Sequence, residues 1–171
     1  TGKPIAETFS EFDLKPLGSG TIGQAHRARL KATGEEVVVK LRRPGILEQA
    51  AREMDNFDDI ATGDAPMQEL MQRVRQSVFA EMDFRDEARN TRRGARVYHS
   101  EELGLRSVKL ARGVKPTEDM LVLKLIKGVP LSKLGKRDLI SHGQALQNLL
   151  DRWFDEAMFK SGFFHGDLHP D

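Results

Sequence analysis

A carboxylate stands near the end of the chain, in the run His165-Gly166-Asp167-Leu168-His169-Pro170. The run follows an apolar helical stretch and the break Gly162-Phe163-Phe164. A carboxylate on a tight loop behind a buried helix can accept the proton of an attacking hydroxyl group during phosphoryl transfer. Asp167 is therefore the predicted catalytic residue. A metal site made of Asp167 and its two flanking histidines is the weaker interpretation, because the sequence shows no further cluster of ligands.

A glycine-rich loop, Gly18-Ser19-Gly20-Thr21-Ile22-Gly23, contains small residues that let backbone N–H groups approach phosphate oxygens. Gly18, Ser19, Gly20 and Gly23 are the predicted phosphate-covering residues. The same glycine spacing marks dinucleotide folds, but there it opens a helix, whereas residues 25–30 alternate as a strand does. A P-loop is excluded because no Gly-Lys-Ser/Thr follows. By itself, the loop would be interpreted as a plain hairpin turn.

Lys40 closes the apolar run Val37-Val38-Val39, at a distance from Gly23 that lets a hairpin return beneath the loop. Such a lysine can hold the α- and β-phosphates of ATP. Lys40 alone would be an ordinary strand-end lysine, and only its occurrence together with the loop favours the phosphate role. A phosphate-binding lysine needs a carboxylate partner on a helix, and the residues themselves leave both Glu53 and Glu87 open. The order of glycine loop, lysine, acidic helix and aspartate loop is that of protein kinases.

The composition is that of a globular protein with a real core, because 39% of the 171 residues are hydrophobic and 31% are charged. The net charge of +1 gives no case for nucleic acid as a partner. No cysteine is present, which rules out disulfides and thiolate metal sites and fits a reducing compartment. No apolar run reaches the roughly 18 residues that a membrane span needs.

Strand patterns and turns alternate with helical periodicity along the chain. The patterns predict a short helix over residues 1–12, strands at 25–30, 37–41, 105–110 and 120–126, and helices from 46 to about 60, from about 67 to 99 and from about 139 to 160. The last helix is apolar around much of its girth and should be buried.

These elements predict an α+β, two-lobed fold of the protein-kinase type. Residues 1–128 would form the first lobe, an antiparallel sheet with helices. Residues 129–171 would begin a helical second lobe and end just after the catalytic loop. We therefore expect the chain to be a segment of a longer protein.

With these residues in view, the chain resembles the UbiB-type atypical kinases, a family tied to ubiquinone and other prenyl-quinone biosynthesis. The resemblance runs along nearly the whole chain. It is specific because the stretch Glu81-Met82-Asp83-Phe84-Arg85-Asp86-Glu87-Ala88-Arg89-Asn90 is rare in ordinary kinases. The other matching blocks are residues 16–28, 39–46 and 162–170.

The resemblance implies roles that the residues alone do not. Because the family carries a helical insertion after the strand lysine, which would lie at about residues 44–80 here, Glu87 would be the partner of Lys40, and Glu53 would lie in the insertion. Glu81 and Asp83 would form the family's Glu-x-Asp motif, which engages an N-terminal Lys-x-Gly-Gln segment that occludes the site. That segment would lie upstream of Thr1.

The resemblance also implies an ATPase or phosphotransferase that uses ATP and Mg²⁺. It would act in the cytoplasm, peripheral to the inner membrane, with prenyl-quinone biosynthesis proteins or lipid as partners. No metal ligand can be assigned within the chain, because the expected Asn and Asp-Phe-Gly ligands would lie beyond residue 171. The chain departs from the family pattern in two places. Glycines replace the family's alanine-rich loop, so a family-typical suppression of kinase activity need not apply. Asp171 replaces a glycine after the catalytic aspartate.

Two alternatives stay open at this point. Small-molecule kinases of the aminoglycoside or choline type also have a His-Gly-Asp-x-His loop, although the helical insertion and the Glu-x-Asp stretch weigh against them. The second alternative is a non-catalytic, ATP-gated scaffold of a biosynthetic complex, which would bind nucleotide without turnover.

Overall fold

The computed structural model describes residues 4–60, 62–166 and 168. These residues form two compact units. The first contains the residues up to Arg89 together with 110–124, and the second contains residues 90–109 and those from Leu125 onward.

An antiparallel sheet dominates the first unit. Its strands are β1 Phe9–Phe12, β2 Gly18–Ser19, β3 Gly23–Leu30, β4 Glu36–Arg42 and β5 Met120–Lys124. They follow the spatial order β1-β3-β4-β5, and the short β2 pairs with β3. The central pair β3–β4 is a hairpin in which Ala25 stands opposite Lys40. Strand β5 pairs with the other edge of β4 and places Leu121 opposite the same lysine.

The two faces of the sheet bury different side chains because successive strand residues point in opposite directions. One face holds the largest core cluster, in which Val37 and Val39 are almost fully buried. The opposite face carries Leu121, which packs with Phe84 and Ala88 of helix α4, Phe84–Tyr98. Lys40 shares this second face, because it alternates with Val39 and stands opposite Leu121.

A short helix, α1 (Ile5–Thr8), precedes β1, and two longer helices, α2 (Ile46–Ile60) and α3 (Ala65–Glu81), separate β4 from α4. Asp64 caps α3 by accepting a hydrogen bond from the Met67 N–H at 3.0 Å. Helices α2 and α3 form a cluster around Ile46, Ala50 and Met82, against which Ile22 of the glycine-rich loop also packs. The helical segment predicted after Lys40 is therefore present.

Three sequence predictions for this part of the chain are wrong. The helix within residues 1–12 covers only Ile5–Thr8, because Phe9 is buried in the sheet as part of strand β1. The helix predicted from 67 to 99 is interrupted at Met82 and Asp83, where a new helix begins. No strand forms over 105–110; only isolated bridges join Ser100 to Leu105 and Leu110 to Leu123.

The second unit is helical after the last residues of α4. It contains a 3-10 turn at Leu131–Lys133, helices α5 (Lys136–Ser141) and α6 (Gly143–Asp151), and a wide π-helical segment at Arg152–Ser161. Gly162 ends this segment with φ +60°, a left-handed conformation that favours glycine. The single helix predicted over 139–160 is thus three segments, because the chain leaves helical geometry at His142 and widens its turns after Asp151.

The predicted burial of that helix is also wrong for most of its apolar residues. Ala157 is fully buried, but Leu149, Leu150 and Phe154 are 40%, 47% and 51% exposed. The described residues of the second unit do not bury the apolar side chains of this helix. The α+β class is confirmed by the sheet and the helices that follow it, and the division into lobes at residue 128 stays a prediction.

Candidate functional site

Lys40 and Glu87 form an ion pair on the α4-covered face of the sheet. The Lys40 Nζ donates to both carboxylate oxygens of Glu87, at 2.6 and 2.7 Å. Phe84 and Ala88 of α4 are buried against the sheet. Glu87 lies one turn from Phe84 on the helix, so its carboxylate reaches Lys40. Each of the two side chains is 34% exposed, which leaves the pair accessible from one side.

The alternative partner stays away from Lys40. Glu53 lies on α2, where its carboxylate accepts a hydrogen bond from the Gln49 side chain at 2.9 Å. Of the two carboxylates that the residues alone left open, the structure therefore pairs Glu87 with the lysine.

The ion pair lies in the wall of a cavity of about 450 Å³, a size in the range of small-molecule sites. The Lys40 Nζ also lies 5.4 Å from the centre of the Phe84 ring. The cavity brings together six of the predicted site residues, Gly18, Gly20, Gly23, Lys40, Glu81 and Glu87. Its remaining lining residues are Thr21, Ile22, Gln24, Ala25 and Phe84.

The glycine-rich loop is the connection between β2 and β3. Its ends are paired, Ser19 opposite Gln24, and the Gly20 N–H donates to the Gly23 carbonyl at 2.9 Å. A β-carbon on Gly23 would lie 2.5 Å from the Leu41 carbonyl oxygen, so only glycine fits there without displacement of the backbone. The predicted loop thus leads into the strand that pairs with the strand of Lys40, and both line the same cavity.

Glu81 and Asp83 have different surroundings. Glu81 lines the cavity. Asp83 instead occupies the N-cap position of α4, where it accepts a hydrogen bond from the Arg85 N–H at 2.8 Å and pairs with the Arg85 guanidinium. These hydrogen bonds lower the pKa of Asp83 below its ordinary value, and the pKa of Arg85 is raised.

Two arginines that the sequence analysis passed over also contact the site. The Arg42 Nη1 donates to the Met82 carbonyl at 2.9 Å, next to the start of α4. The Arg43 guanidinium donates to the Gly20 carbonyl at 3.0 Å and to the Ser19 Oγ at 2.6 Å. The signal that could have identified Arg43 is its place directly before Pro44, where the backbone is held extended.

A second concavity, of about 410 Å³, lies on the β1–β3–β4 part of the sheet. Four of its charged groups are paired with one another, Arg27 with Glu36 and Arg29 with Glu11. Because it has neither a glycine-rich loop nor the lysine, the cavity beside Lys40 is the better candidate site.

The model of the ABC1 atypical kinase-like domain matches residues 1–171, the whole chain. The chain belongs to this family.

Curated relatives of the ABC1 domain agree with this assignment. A protein of Vibrio campbellii named "Probable protein kinase UbiB" is 32% identical over 99% of this chain and 32% of its own length. Proteins of the same name from Pseudomonas putida (strain W619) and Cronobacter sakazakii are 33% and 30% identical, over 99% and 98% of this chain and 33% and 32% of their own lengths. The chain thus spans about a third of the length of the curated relatives it matches. The predicted resemblance to UbiB-type atypical kinases and the kinase-like fold are confirmed.

The predicted catalytic residue of the ABC1 domain, Asp167, lies outside the described residues, as does His169. The segment that leads to it is described: the His165 N–H donates to the Tyr98 Oη, and the Trp153 Nε1 donates to the His165 carbonyl, both at 3.0 Å. Among the described residues, no cluster of three or more His, Asp or Glu side chains could hold a metal ion. No helix in the described ranges has the length and apolarity to cross a membrane.

Proposed function

We propose that this ABC1 domain binds ATP in the cavity beneath the glycine-rich loop. We further propose that the protein carrying it is a phosphotransferase or ATPase that supports ubiquinone biosynthesis. The observation that carries the proposal is the two-oxygen contact between Lys40 and Glu87 in the wall of that cavity. In kinases, a strand lysine held by a helical glutamate is the group that binds the α- and β-phosphates.

The other site residues have complementary roles in this proposal. Gly18, Ser19, Gly20 and Gly23 cover the phosphates with small residues and backbone N–H groups. Glu87 keeps the Lys40 ammonium oriented, and the positive charge of Lys40 offsets the charge of the phosphates. Glu81 and Asp83 form the Glu-x-Asp motif beside the same site. Glu81 lies in the cavity wall, and Asp83 caps α4.

Asp167 supplies the base or orients the attacking group, and any Mg²⁺ that accompanies ATP would neutralise charge on the phosphates. No role of the described residues in this proposal depends on that ion. The link to ubiquinone rests on the relatives named "Probable protein kinase UbiB" and on the family resemblance. The phosphoryl acceptor is outside the proposal.

The nucleotide site is tested in the full-length protein by displacement of a fluorescent ATP analogue and by phosphate release. Lys40→Met and Glu87→Gln should each lower kcat/KM for ATP on the order of 10²-fold, because a charged group aimed at the phosphates is lost or misplaced. Two matched variants serve as controls. Lys31→Met removes an exposed lysine whose Nζ bonds the Ala6 carbonyl, and Glu53→Gln removes the carboxylate that does not reach Lys40. Equal effects of Glu87→Gln and Glu53→Gln would contradict the proposed site.

Asp167→Asn separates binding from chemistry in the same assays. It should abolish phosphate release and leave the affinity for the ATP analogue within about twofold, because removal of a base raises the barrier without loss of ground-state contacts. Turnover equal to that of the wild type would remove Asp167 from the mechanism. ATP binding without any turnover in the wild-type protein would favour the scaffold alternative.

A further inference from the structure

We infer that Arg43 is a positioning residue for nucleotide binding: it fastens the tip of the glycine-rich loop from outside the cavity. The inference rests on the proposed function, since it concerns the loop that would cover the phosphates. Arg43 is absent from the cavity lining, so it acts on the nucleotide only through the loop.

Local backbone rules determine where Arg43 lies. Strand β4 ends at Arg42, opposite Gly23, and Pro44 follows two residues later, directly after Arg43. A residue before proline is restricted to extended conformations, so Arg43 continues the direction of the strand. Its N–H accordingly donates to the Ile22 carbonyl at 2.9 Å, one further step of the pairing between β4 and the loop.

The Arg43 side chain then reaches the opposite arm of the loop. Its Nε donates to the Gly20 carbonyl at 3.0 Å, and its Nη2 donates to the Ser19 Oγ at 2.6 Å. The planar guanidinium presents several donors in a fixed arrangement, which suits two acceptors on adjacent residues. Through its backbone and its side chain, one residue therefore holds both arms of the loop.

Its neighbour Arg42 contacts a different element, because consecutive residues of an extended chain point in opposite directions. The Arg42 guanidinium donates to the carbonyls of Met82 and Glu118, next to α4. The two adjacent arginines thus attach the end of β4 to two parts of the site, and only Arg43 contacts the loop tip.

The contacts of Arg43 leave part of the loop backbone available. Within the described part of the chain, the N–H groups of Thr21 and Ile22 donate no hydrogen bond. Arg43 instead binds the Gly20 carbonyl oxygen, which would repel a phosphate, and it uses the Ser19 hydroxyl oxygen as an acceptor, so the hydroxyl hydrogen can still be donated. A loop fastened in this way loses less conformational entropy when a nucleotide binds, so the affinity should be higher than that of a free loop.

The test compares Arg43→Met with the wild type in the full-length protein, first without nucleotide. Hydrogen exchange of peptides that span residues 18–23, followed by mass spectrometry, should become at least about threefold faster. The dissociation constant of the fluorescent ATP analogue should rise about 3- to 10-fold, as expected for the loss of exposed hydrogen bonds from a charged donor. KM for ATP should rise with it, while kcat stays within about twofold.

Three further variants make the result specific. Arg43→Lys, which can keep one contact, should restore part of the affinity, and Arg52→Met, at an exposed site on α2, should change neither readout. In a Ser19→Ala background, the additional effect of Arg43→Met on affinity should be smaller than in the wild type. Unchanged exchange in Arg43→Met, or faster exchange with unchanged affinity, would overturn the inference. If the wild type binds no ATP, the proposed function fails along with the role of Arg43 in it, and the exchange data show separately whether Arg43 holds the loop.

Discussion

The three glycines of the glycine-rich loop are under different steric constraints. A β-carbon on Gly18 would meet no atom within 4 Å, and one on Gly20 would meet the Gly23 carbonyl at 4.0 Å, an ordinary contact. A β-carbon on Gly23 would lie 2.5 Å from the Leu41 oxygen and 3.4 Å from the Phe84 Cζ. Gly23 is therefore required by the packing of the protein itself, whereas Gly18 and Gly20 are free to serve a ligand.

Gly23→Ala should lower the free energy of unfolding by about 1–3 kcal/mol, because β3 would have to move away from β4. Gly20→Ala is the matched control. It should change the free energy of unfolding by less than about 1 kcal/mol, because the φ angle of Gly20 is not in the left-handed region. Urea denaturation of the full-length protein measures both. Equal destabilisation by the two variants would contradict the steric assignment.

Single residues differ in how well their roles could be predicted from the sequence. The strand position of Lys40 could be predicted because a β-branched run indicates a strand. Its phosphate role was favoured only together with the glycine-rich loop, and that role stays a prediction. Glu87 could be assigned only through the family resemblance, since helical spacing does not tell which of two helices returns to the sheet. Arg43 was missed because its role depends on the loop lying beside the end of β4, which is a tertiary contact.

At the scale of elements, the start of α4 determines where Glu87 lies. Asp83 caps the helix, the Phe84 N–H donates to the Glu118 carbonyl at 3.0 Å, and the Arg85 Nη2 lies 2.9 Å from the Glu118 Oε1. These contacts tie the first turn of α4 to the segment that leads into β5. Since Glu87 is in that first turn, the cap helps to hold the partner of Lys40.

Asp83→Ala should destabilise the protein by about 1 kcal/mol, because both the cap and the ion pair with Arg85 are lost. Asp83→Asn should cost less, since asparagine is also a good N-cap and only the charge is lost. Thermal unfolding of the full-length variants at pH 7 measures the difference. Equal losses for Ala and Asn would show that the charge, and not the cap, is the important feature.

The same pair predicts a pH dependence. The hydrogen bonds to Arg85 lower the pKa of Asp83 in the folded state from its ordinary value of 3.8. The charged carboxylate therefore stabilises the folded protein at pH values above 3.8. This stabilisation is lost as the pH falls from 3.8 through the lowered pKa of the folded state. The difference in Tm between the wild type and Asp83→Asn should therefore be constant from about pH 5 upward and shrink below about pH 4. A difference that persists unchanged at pH 3 would contradict the assigned ion pair.

Element boundaries were harder to predict than element types. The i, i+3 spacing of Phe9 and Phe12 indicates one turn of a helix, but pairing with β3 decides for the strand. A register shift between Phe9 and Glu11 lets both rings pack in the same core cluster. The interruption before α4 has a local signal, the N-cap residue Asp83, but the apolar spacing continues across it. The prediction of a strand over 105–110 was wrong because, of these residues, only Leu110 pairs with the sheet, through a bridge to Leu123.

At the scale of the whole molecule, the two units differ in how completely they bury their apolar residues. The first unit has three buried clusters, on the two faces of the sheet and between α2 and α3. In the second unit, Ala157 is the one buried apolar residue among those described. Four aromatic residues there form a connected group, the aromatic patch, which consists of Trp153, Phe154, Phe159 and Phe164.

Residues 1–171 expressed alone should bind a hydrophobic dye such as anilinonaphthalene sulfonate, because Phe154 and Phe159 are 51% and 69% exposed. The double variant Phe154→Gln/Phe159→Gln should lower the dye fluorescence and leave Tm within about 2 °C, since surface substitutions cost little. The isolated chain should also hydrolyse no ATP. A dye-silent, monodisperse protein would contradict the exposure of the aromatic patch.

The route of the chain through the sheet also determines the order in which the site can form during folding. Strand β4 follows β3 after a short turn, whereas helices α2, α3 and α4 separate β4 from β5 in the sequence. Lys40 and Glu87 are 47 residues apart along the chain. Closing such long loops costs more entropy than forming a hairpin, so non-local pairs form late and slowly. We expect the β3–β4 hairpin, with the lysine already on it, to form early, and nucleotide binding to become possible only in the last cooperative step.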